Sequence, residues 1–326
     1  AQEATPPAEP AATEPAAVEN DRRRSTVTVT APRREESVQD VPLAVTAVTG
    51  DQMAALRVEN IENISLVSPS ITFSKTNSPA ASSNIQIRGI GTTGQSRVFE
   101  GAVGVFIDGV YRTRSGQALS SFLDMDGLQV LRGPQGTLFG KNTSAGALLL
   151  NSASPNMDEV SGFATASYGN YNAFDVSGAV NIPVSDTFAL RVAASHSEQD
   201  GFLKSPEGNT EGDQNVDAFK VSALWEPTDT LSLKLIADYT KQDDEVGYAT
   251  VNAVDGPLTP LINALTVANG LAVPSSNIDD YETSINTPTS NNVEDKGIAL
   301  LVDWEFGPGT LKSVTALREY DIVQDA

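Results

Sequence analysis

The chain has 326 residues and a formal charge of −21, with no cysteine and a single histidine. This excludes a disulfide framework, a thiolate metal site, a cysteine nucleophile and a multi-histidine centre, and so acidic a chain is a poor partner for nucleic acid. Basic and acidic side chains number 5 and 7 in residues 1–36, 8 and 8 in 37–155, and 8 and 27 in 156–326, which accounts for all 21 and 42. A neutral middle and an acidic end imply different units in different surroundings.

The start, AQEATPPAEP, reads as what signal-peptide cleavage leaves behind, which implies export. Residues 1–24 are Ala, Pro, Glu and Thr with almost no large apolar groups, too little to offset the entropy of ordering, and they form a flexible tether. In STVTVTAPRREE (25–36), Val27 and Val29 alternate with Thr26, Thr28 and Thr30, and Pro32 ends the run. This predicts a short strand with no adjacent hairpin partner. It suits addition to another protein's sheet edge, and equally the first strand of the unit that follows.

Residues 37–155 predict a compact α/β unit. A first short helix is capped by Asp51 or Thr49, and a second starts near Asn60 with Ile61, Ile64 and Leu66 facing the core. In VGVFIDGVYR, Asp108-Gly109 between two apolar runs predicts a two-residue hairpin, so Asp108 is a turn former and not a catalytic acid. The stretch VLRGPQGTLFGKNTSAGALLL (130–150) resembles a phosphate loop, but GxxxxGK[ST] fails twice. Five residues before Gly140 stands Gln135, and after Lys141 stands Asn142. Gly133-Pro134-Gln135-Gly136 suits a type I turn, and Leu148–Leu150 a buried strand.

From Gly162 the chain alternates in segments of roughly 9–11 residues, the length of a tilted membrane strand. Phe174, Val176, Val180 and Ile182 share one face, with Asp175, Ser177 and Asn181 on the other. Phe188, Leu190, Val192 and Ala194 oppose Arg191 and Ser195; Phe219, Val221, Ala223 and Trp225 oppose Lys220, Ser222 and Glu226; Leu231, Leu233, Leu235 and Tyr239 oppose Ser232, Lys234 and Asp238. Two more strands flank a GPG turn, and His196 reads as a surface or lumen residue. Tight turns alternating with long polar loops indicate an outer-membrane barrel with a polar lumen. Residues 244–296 are expected to be an external loop with a weakly helical patch. About seven strands cannot close a barrel in lipid, so the chain reads as the front of a longer protein.

In order, TVTVTAPRREESVQDVPLAVTAVTG (26–50), IQIRGIG (85–91), VGVFIDGVY (103–111) and LQVLRGPQGTLFGKNTSAGA (128–147) resemble the amino-terminal part of TonB-dependent outer-membrane receptors. The resemblance implies an α+β plug domain over 37–155, followed from 156 to 326 by the first part of an antiparallel transmembrane β-barrel of about 22 strands. It implies that Thr26, Val27, Thr28, Val29, Thr30 and Ala31, within a 25–36 box region, bind periplasmic TonB, energised by the inner-membrane proton-motive complex. It further implies that Arg88 and Arg132 pair with the barrel wall, and that Gly133, Pro134, Gln135 and Gly136 form a plug signature turn. LLLNSASP after 147 departs from the polar or basic strand exit usual in that family. The expected activity is import of a small ligand, foremost a ferric siderophore. Cobalamin, a carbohydrate or another nutrient remains an alternative cargo, and a passive porin-like channel an alternative class. No cofactor, metal or nucleophile–base–acid set is read from the sequence.

Overall fold

The computed structural model describes residues 28–29, 36–37, 44–58, 60–75, 83–92, 100–118, 122–205, 210–245, 256–282 and 290–325. The expected tether, residues 1–24, lies outside them, as do Thr26, Val27, Thr30 and Ala31. β1 (Thr28–Val29) pairs antiparallel with β2 (Glu36–Ser37). The strand expected to stand alone is therefore closed on itself by the residues just beyond Pro32.

The next unit is built on a five-stranded sheet. Its strands are β3 (Ala44–Thr49), β7 (Val103–Ile107), β8 (Val110–Arg112), β9 (Met125–Arg132) and β10 (Gly146–Ser152), in the order β3-β9-β10-β7-β8. Only the β10–β7 pair is parallel. β4 (Ile71–Lys75), β5 (Ser83–Ile87) and β6 (Ile90–Gly91) form a separate antiparallel sheet. Helix α1 (Gly50–Ala55) is capped by Thr49 and not Asp51: the Thr49 hydroxyl accepts from the Gln52 N–H while the Gln52 side chain accepts from the Thr49 N–H, a reciprocal capping box. Asn60 caps a 3₁₀ turn over Ile61–Leu66. At three residues per turn Ile61 and Ile64 align and are fully buried, whereas Leu66 falls off that face and is 61% exposed, contrary to expectation. The core joins Ile61, Ile64, Ile71 and Ile87 to Leu128, Val130, Leu148 and Leu150. Each such side chain stabilises by about 1.5–3 kcal/mol on burial. The expected strand at Leu148–Leu150 is thus the buried centre of the sheet.

Asp108 and Gly109 both have positive φ (51° and 75°) and close the β7–β8 hairpin as expected. Gln135 has a bridge-region backbone (φ −119°, ψ 16°), as at the third position of the expected turn. The segment is held, however, by bonds from the Gly133 N–H to the Ala145 carbonyl and from the Gln135 N–H to the Thr143 carbonyl, before the short helix α2 (Gly136–Phe139).

The rest is one seven-stranded antiparallel sheet. Its members are β11 (Ser161–Tyr168), β12 (Phe174–Ser185), β13 (Phe188–Gln199), β16 (Gln214–Thr228), β17 (Leu231–Asp244), β18 (Ser290–Phe306) and β19 (Gly309–Asp325), paired in that order. β14 (Leu203–Lys204) and β15 (Thr210–Glu211) form a ribbon between β13 and β16. Two-residue turns join the sheet at one end, after Ser185, Thr228 and Phe306, and longer connections join it at the other. The expected faces hold: Phe174, Val176, Val180 and Ile182 are exposed while Asn181 is fully buried, and Phe219 and Trp225 are exposed while Lys220 and Ser222 are buried. Phe188, Trp225, Trp304 and Phe306 gather near the two-residue turns, with the Trp304 and Phe306 rings 5.1 Å apart. On the same outward face the apolar rows give way to the cross-strand row His196, Asp217, Lys241, Glu294, Asp321. Helix α3 (Thr259–Ala268) fills the patch expected to be weakly helical. β18 begins at Ser290, inside the segment expected to be loop up to 296. Its first residues, SNNVEDK, stand beyond the apolar band, where a strand has no reason to alternate apolar with polar.

Candidate functional site: the contact between plug and wall

The inner face of the sheet is polar because it meets the first unit, and the contact is made by charges from elements far apart in sequence. Asp124, in the turn entering β9, receives two bonds from Arg191 of β13: Nε to Oδ2 and Nη2 to Oδ1, both 2.6 Å. The two side chains are 5% and 13% exposed. This is the planar, bidentate arrangement that favours arginine over lysine. Asp124 is held at φ 55°, and its carbonyl accepts from the Ala153 N–H, so the strand exit fixes the carboxylate before the wall is met.

Next to it Lys220 of β16 is buried, donating to the Leu123 carbonyl (2.7 Å) and to Ser152 Oγ (2.9 Å). Ser152 in turn donates its hydroxyl and its backbone N–H (2.9 Å) to the two carboxylate oxygens of Asp108. Asp108 therefore does more than shape its turn: through Ser152 it orients the lone pair that receives the wall lysine. Asn181 of β12 accepts from the Asn156 N–H and donates to the Asn156 and Glu159 carbonyls, all at 2.8 Å, and Lys234 Nζ reaches Ser154 Oγ at 2.9 Å. With the Lys220–Ser152 bond, these tie the end of β10 and the segment leaving it to β12, β16 and β17.

A second charged group lies at β8. Arg318 of β19 binds both Asp238 oxygens (2.8 and 2.7 Å) and Asp295 (2.8 Å). Arg112 of β8 approaches the same Asp295 only to 3.8 Å. Burial, and then the nearby Arg318 charge, pull the Arg112 guanidinium below its usual pKa, but an arginine stays protonated. Between the α1 side of the first unit and β11–β13 lies a cavity of about 1280 Å³, lined by Asp51, Arg57, Asp175, Ser177, Ser195 and the Asp124–Arg191 pair among others. Its wall is a hydroxyl ladder, with Thr165 and Ser177 bonded at 2.7 Å and Ser167 and Ser197 donating to Asp175. Among the described residues no group of three or more His, Cys, Asp or Glu is placed to hold a metal.

The two arginines expected at the wall do not meet the seven strands. Arg132 donates to the Ala44 carbonyl and to Thr46 Oγ1, within its own sheet, because β3 runs beside it. Arg88 is exposed, at φ 54° in the turn joining β5 to β6, and forms no ion pair between described residues. Asp108, Asp124, Ser152, Arg191 and Lys220 were missed as a group. Lys220 and Arg191 already stood on the polar face of their strands, and a long basic side chain at mid-strand signals a buried acceptor opposite. Of the box residues, Thr28 and Val29 lie in β1, paired to Ser37 and Glu36.

A mixed sheet seated by buried ion pairs against strands that are apolar outside and polar inside is the architecture of a plugged outer-membrane barrel. Residues 37–147 match the family of the TonB-dependent receptor plug domain. The fold matches the ferric yersiniabactin uptake receptor of Yersinia pestis, with a TM-score of 0.73 and 16% identity over 86% of this chain and 41% of that one. It also matches the alcaligin outer-membrane receptor of Bordetella pertussis (0.64, 14%, 91% and 42%) and the ferripyoverdine receptor of Pseudomonas aeruginosa (0.64, 16%, 86% and 34%). Residues 37–147 thus carry a TonB-dependent receptor plug domain, the chain as a whole shares the plug-and-barrel fold of these outer-membrane proteins, and it spans about two fifths or less of their length.

Proposed function

We propose that this receptor actively imports a scarce ligand across the outer membrane, with a ferric siderophore as its cargo. Residues 1–24 serve as periplasmic tether, 25–36 as the TonB-binding region, 37–155 as plug and 156–326 as the first part of the barrel. The observation that carries the reading is the seating of the plug: Asp124–Arg191 and Asp108–Ser152–Lys220 are buried pairs. Such pairs add little net stability, fix geometry, and cost much when one partner is withdrawn. They suit a part that must stay closed at rest and be displaced by applied work. A passive channel has no use for them.

External loops bind the ligand. TonB then adds a strand to Thr26–Ala31, where backbone bonds give the grip, and draws the plug from the wall with energy from the inner-membrane proton gradient. Thr28–Val29 pairs with Glu36–Ser37 along one edge of a two-stranded ribbon, and TonB adds along the other. The solved receptors of this fold that are named for ferric yersiniabactin and ferripyoverdine support an iron-chelate cargo. In cells carrying the full receptor, Val29→Pro removes a backbone donor from the box. Uptake of a radioiron chelate should fall to the level of cells lacking TonB while surface binding stays unchanged. Energised uptake at the wild-type rate would refute the role of this segment.

A further inference from the structure

Three aromatic rings converge from three connections at the end of the sheet opposite the two-residue turns. Tyr171 lies between β11 and β12, Phe202 between β13 and β14, and Tyr281 between β17 and β18. Phe202 stands in the middle: its ring centroid is 6.4 Å from that of Tyr171 at 65°, and 6.3 Å from that of Tyr281 at 81°. The rings are 49%, 39% and 49% exposed, so the cluster is not a core.

The backbone is spent on placing them. Tyr171 and Tyr281 both have left-handed φ (56° and 52°), a conformation in which a bulky residue is an outlier. Each is pinned through its carbonyl to the Phe202 segment, by the Asp200 N–H and the Lys204 N–H respectively, both at 2.8 Å. Gly212, at φ 82°, lies against the Phe202 ring, where a Cβ would come within 3.0 Å of Cε1. Strain and close packing that leave three rings in water fit a surface awaiting a partner.

We propose that Tyr171, Phe202 and Tyr281 form a capture site for a planar aromatic ring borne by a neutral or cationic ligand. The proposal rests on the import reading and names the ligand class it implies. The Phe202 and Tyr281 rings at 81° form a right-angled corner in which one further ring stacks on one face and presents its edge to the face of the other, the preferred arrangements of aromatic groups. The charge restriction comes from the surroundings. Asp200, Glu211, Asp213 and Glu282 sit on the same connections, and Lys204 is the one lysine or arginine in residues 200–213.

The test uses the full receptor in outer-membrane vesicles with four probes: a neutral hexadentate ferric tris(hydroxypyridinone), which carries aromatic rings; a ferric trihydroxamate without rings; an anionic ferric tricatecholate; and maltoheptaose. The wild type should bind the hydroxypyridinone chelate at least tenfold more tightly than the other three. Phe202→Ala should lose about tenfold, the size of one lost ring contact. Phe202→Trp should keep wild-type affinity, and barrel folding is checked by heat-modifiable migration. Unchanged affinity in both Phe202→Ala and a Tyr171→Ala/Phe202→Ala/Tyr281→Ala variant overturns the site. Preference of the wild type for the trihydroxamate, the tricatecholate or maltoheptaose, or binding of none of the probes, overturns the ligand class. TonB-dependent iron uptake, measured alongside, separates the two levels: its presence with an unaffected triple variant sinks only this site, and its absence in the wild type sinks the import reading.

Discussion

Replacing Arg191 with alanine strips both bonds from the Asp124 carboxylate, which is 5% exposed. Breaking a buried pair by deleting one partner costs about 3–5 kcal/mol. Arg191 lines the plug–wall cavity and is 13% exposed, so some solvent reaches the vacated place and the lower end, about 3 kcal/mol, applies. With a urea slope of about 1–1.5 kcal/mol/M for a unit of this size, the midpoint of plug release falls by about 2–3 M. These 326 residues have no cysteine; with any cysteine elsewhere in the full receptor replaced by serine, a single spin label at Thr137→Cys on exposed α2 reports that release in vesicles. An Asp124→Asn/Arg191→Met double variant should lose less than Arg191→Ala, because no charge is left stranded. A midpoint for Arg191→Ala indistinguishable from wild type would refute the claim that this pair seats the plug.

Two further outcomes follow from the same geometry. Val180→Arg puts a charge on the exposed face of β12; if that face meets lipid near mid-depth, folding into vesicles loses about 2–4 kcal/mol, and an unchanged folding equilibrium would place the face elsewhere. On the plug, hydrogen bonds from Lys141 (2.9 and 3.1 Å) and then Asn142 (2.7 Å) hold the Glu100 carboxyl below its ordinary value of 4.5. A depressed carboxylate stabilises fully above its unfolded pKa and loses that contribution as pH falls through the folded one. The Glu100 carboxyl should titrate below 4.5 by NMR and return toward it in Lys141→Met; a wild-type midpoint at or above 4.5 would contradict the contact.

The strands and the plug were legible because their physics is local. Alternation over Phe174–Ile182 or Phe219–Trp225 records which side of a strand meets lipid, and Asp108-Gly109 can hardly be anything but a tight hairpin. Partners across the molecule were not legible. Arg191 reads as polar-face from its own neighbours, but nothing within several residues of it points to Asp124, 67 positions earlier. Arg132 was expected at the wall on resemblance, and among the described residues it bonds Ala44 and Thr46 of the neighbouring β3. Leu66 misled because it was counted by its apolar character: five residues after Ile61, it falls off the Ile61–Ile64 face at 3.6 residues per turn as well as at three. The strand after Ser290 misled because beyond the apolar band no lipid imposes a pattern. Tyr171, Phe202 and Tyr281 meet only once three connections close on each other, which no spacing encodes.

The central claim is that import requires the plug to leave the wall at the Asp124–Arg191 contact, and a reversible tether there tests it most directly. In cells carrying the full receptor as Asp124→Cys/Arg191→Cys, with any cysteine outside these 326 residues replaced by serine, a short bifunctional thiol reagent bridges plug and wall, the 326 residues having no cysteine of their own. Tethered, the receptor should bind radioiron chelate at the cell surface and take none up, and a reductant that cleaves the bridge should restore uptake. Uptake at the untethered rate with the bridge intact would contradict the account.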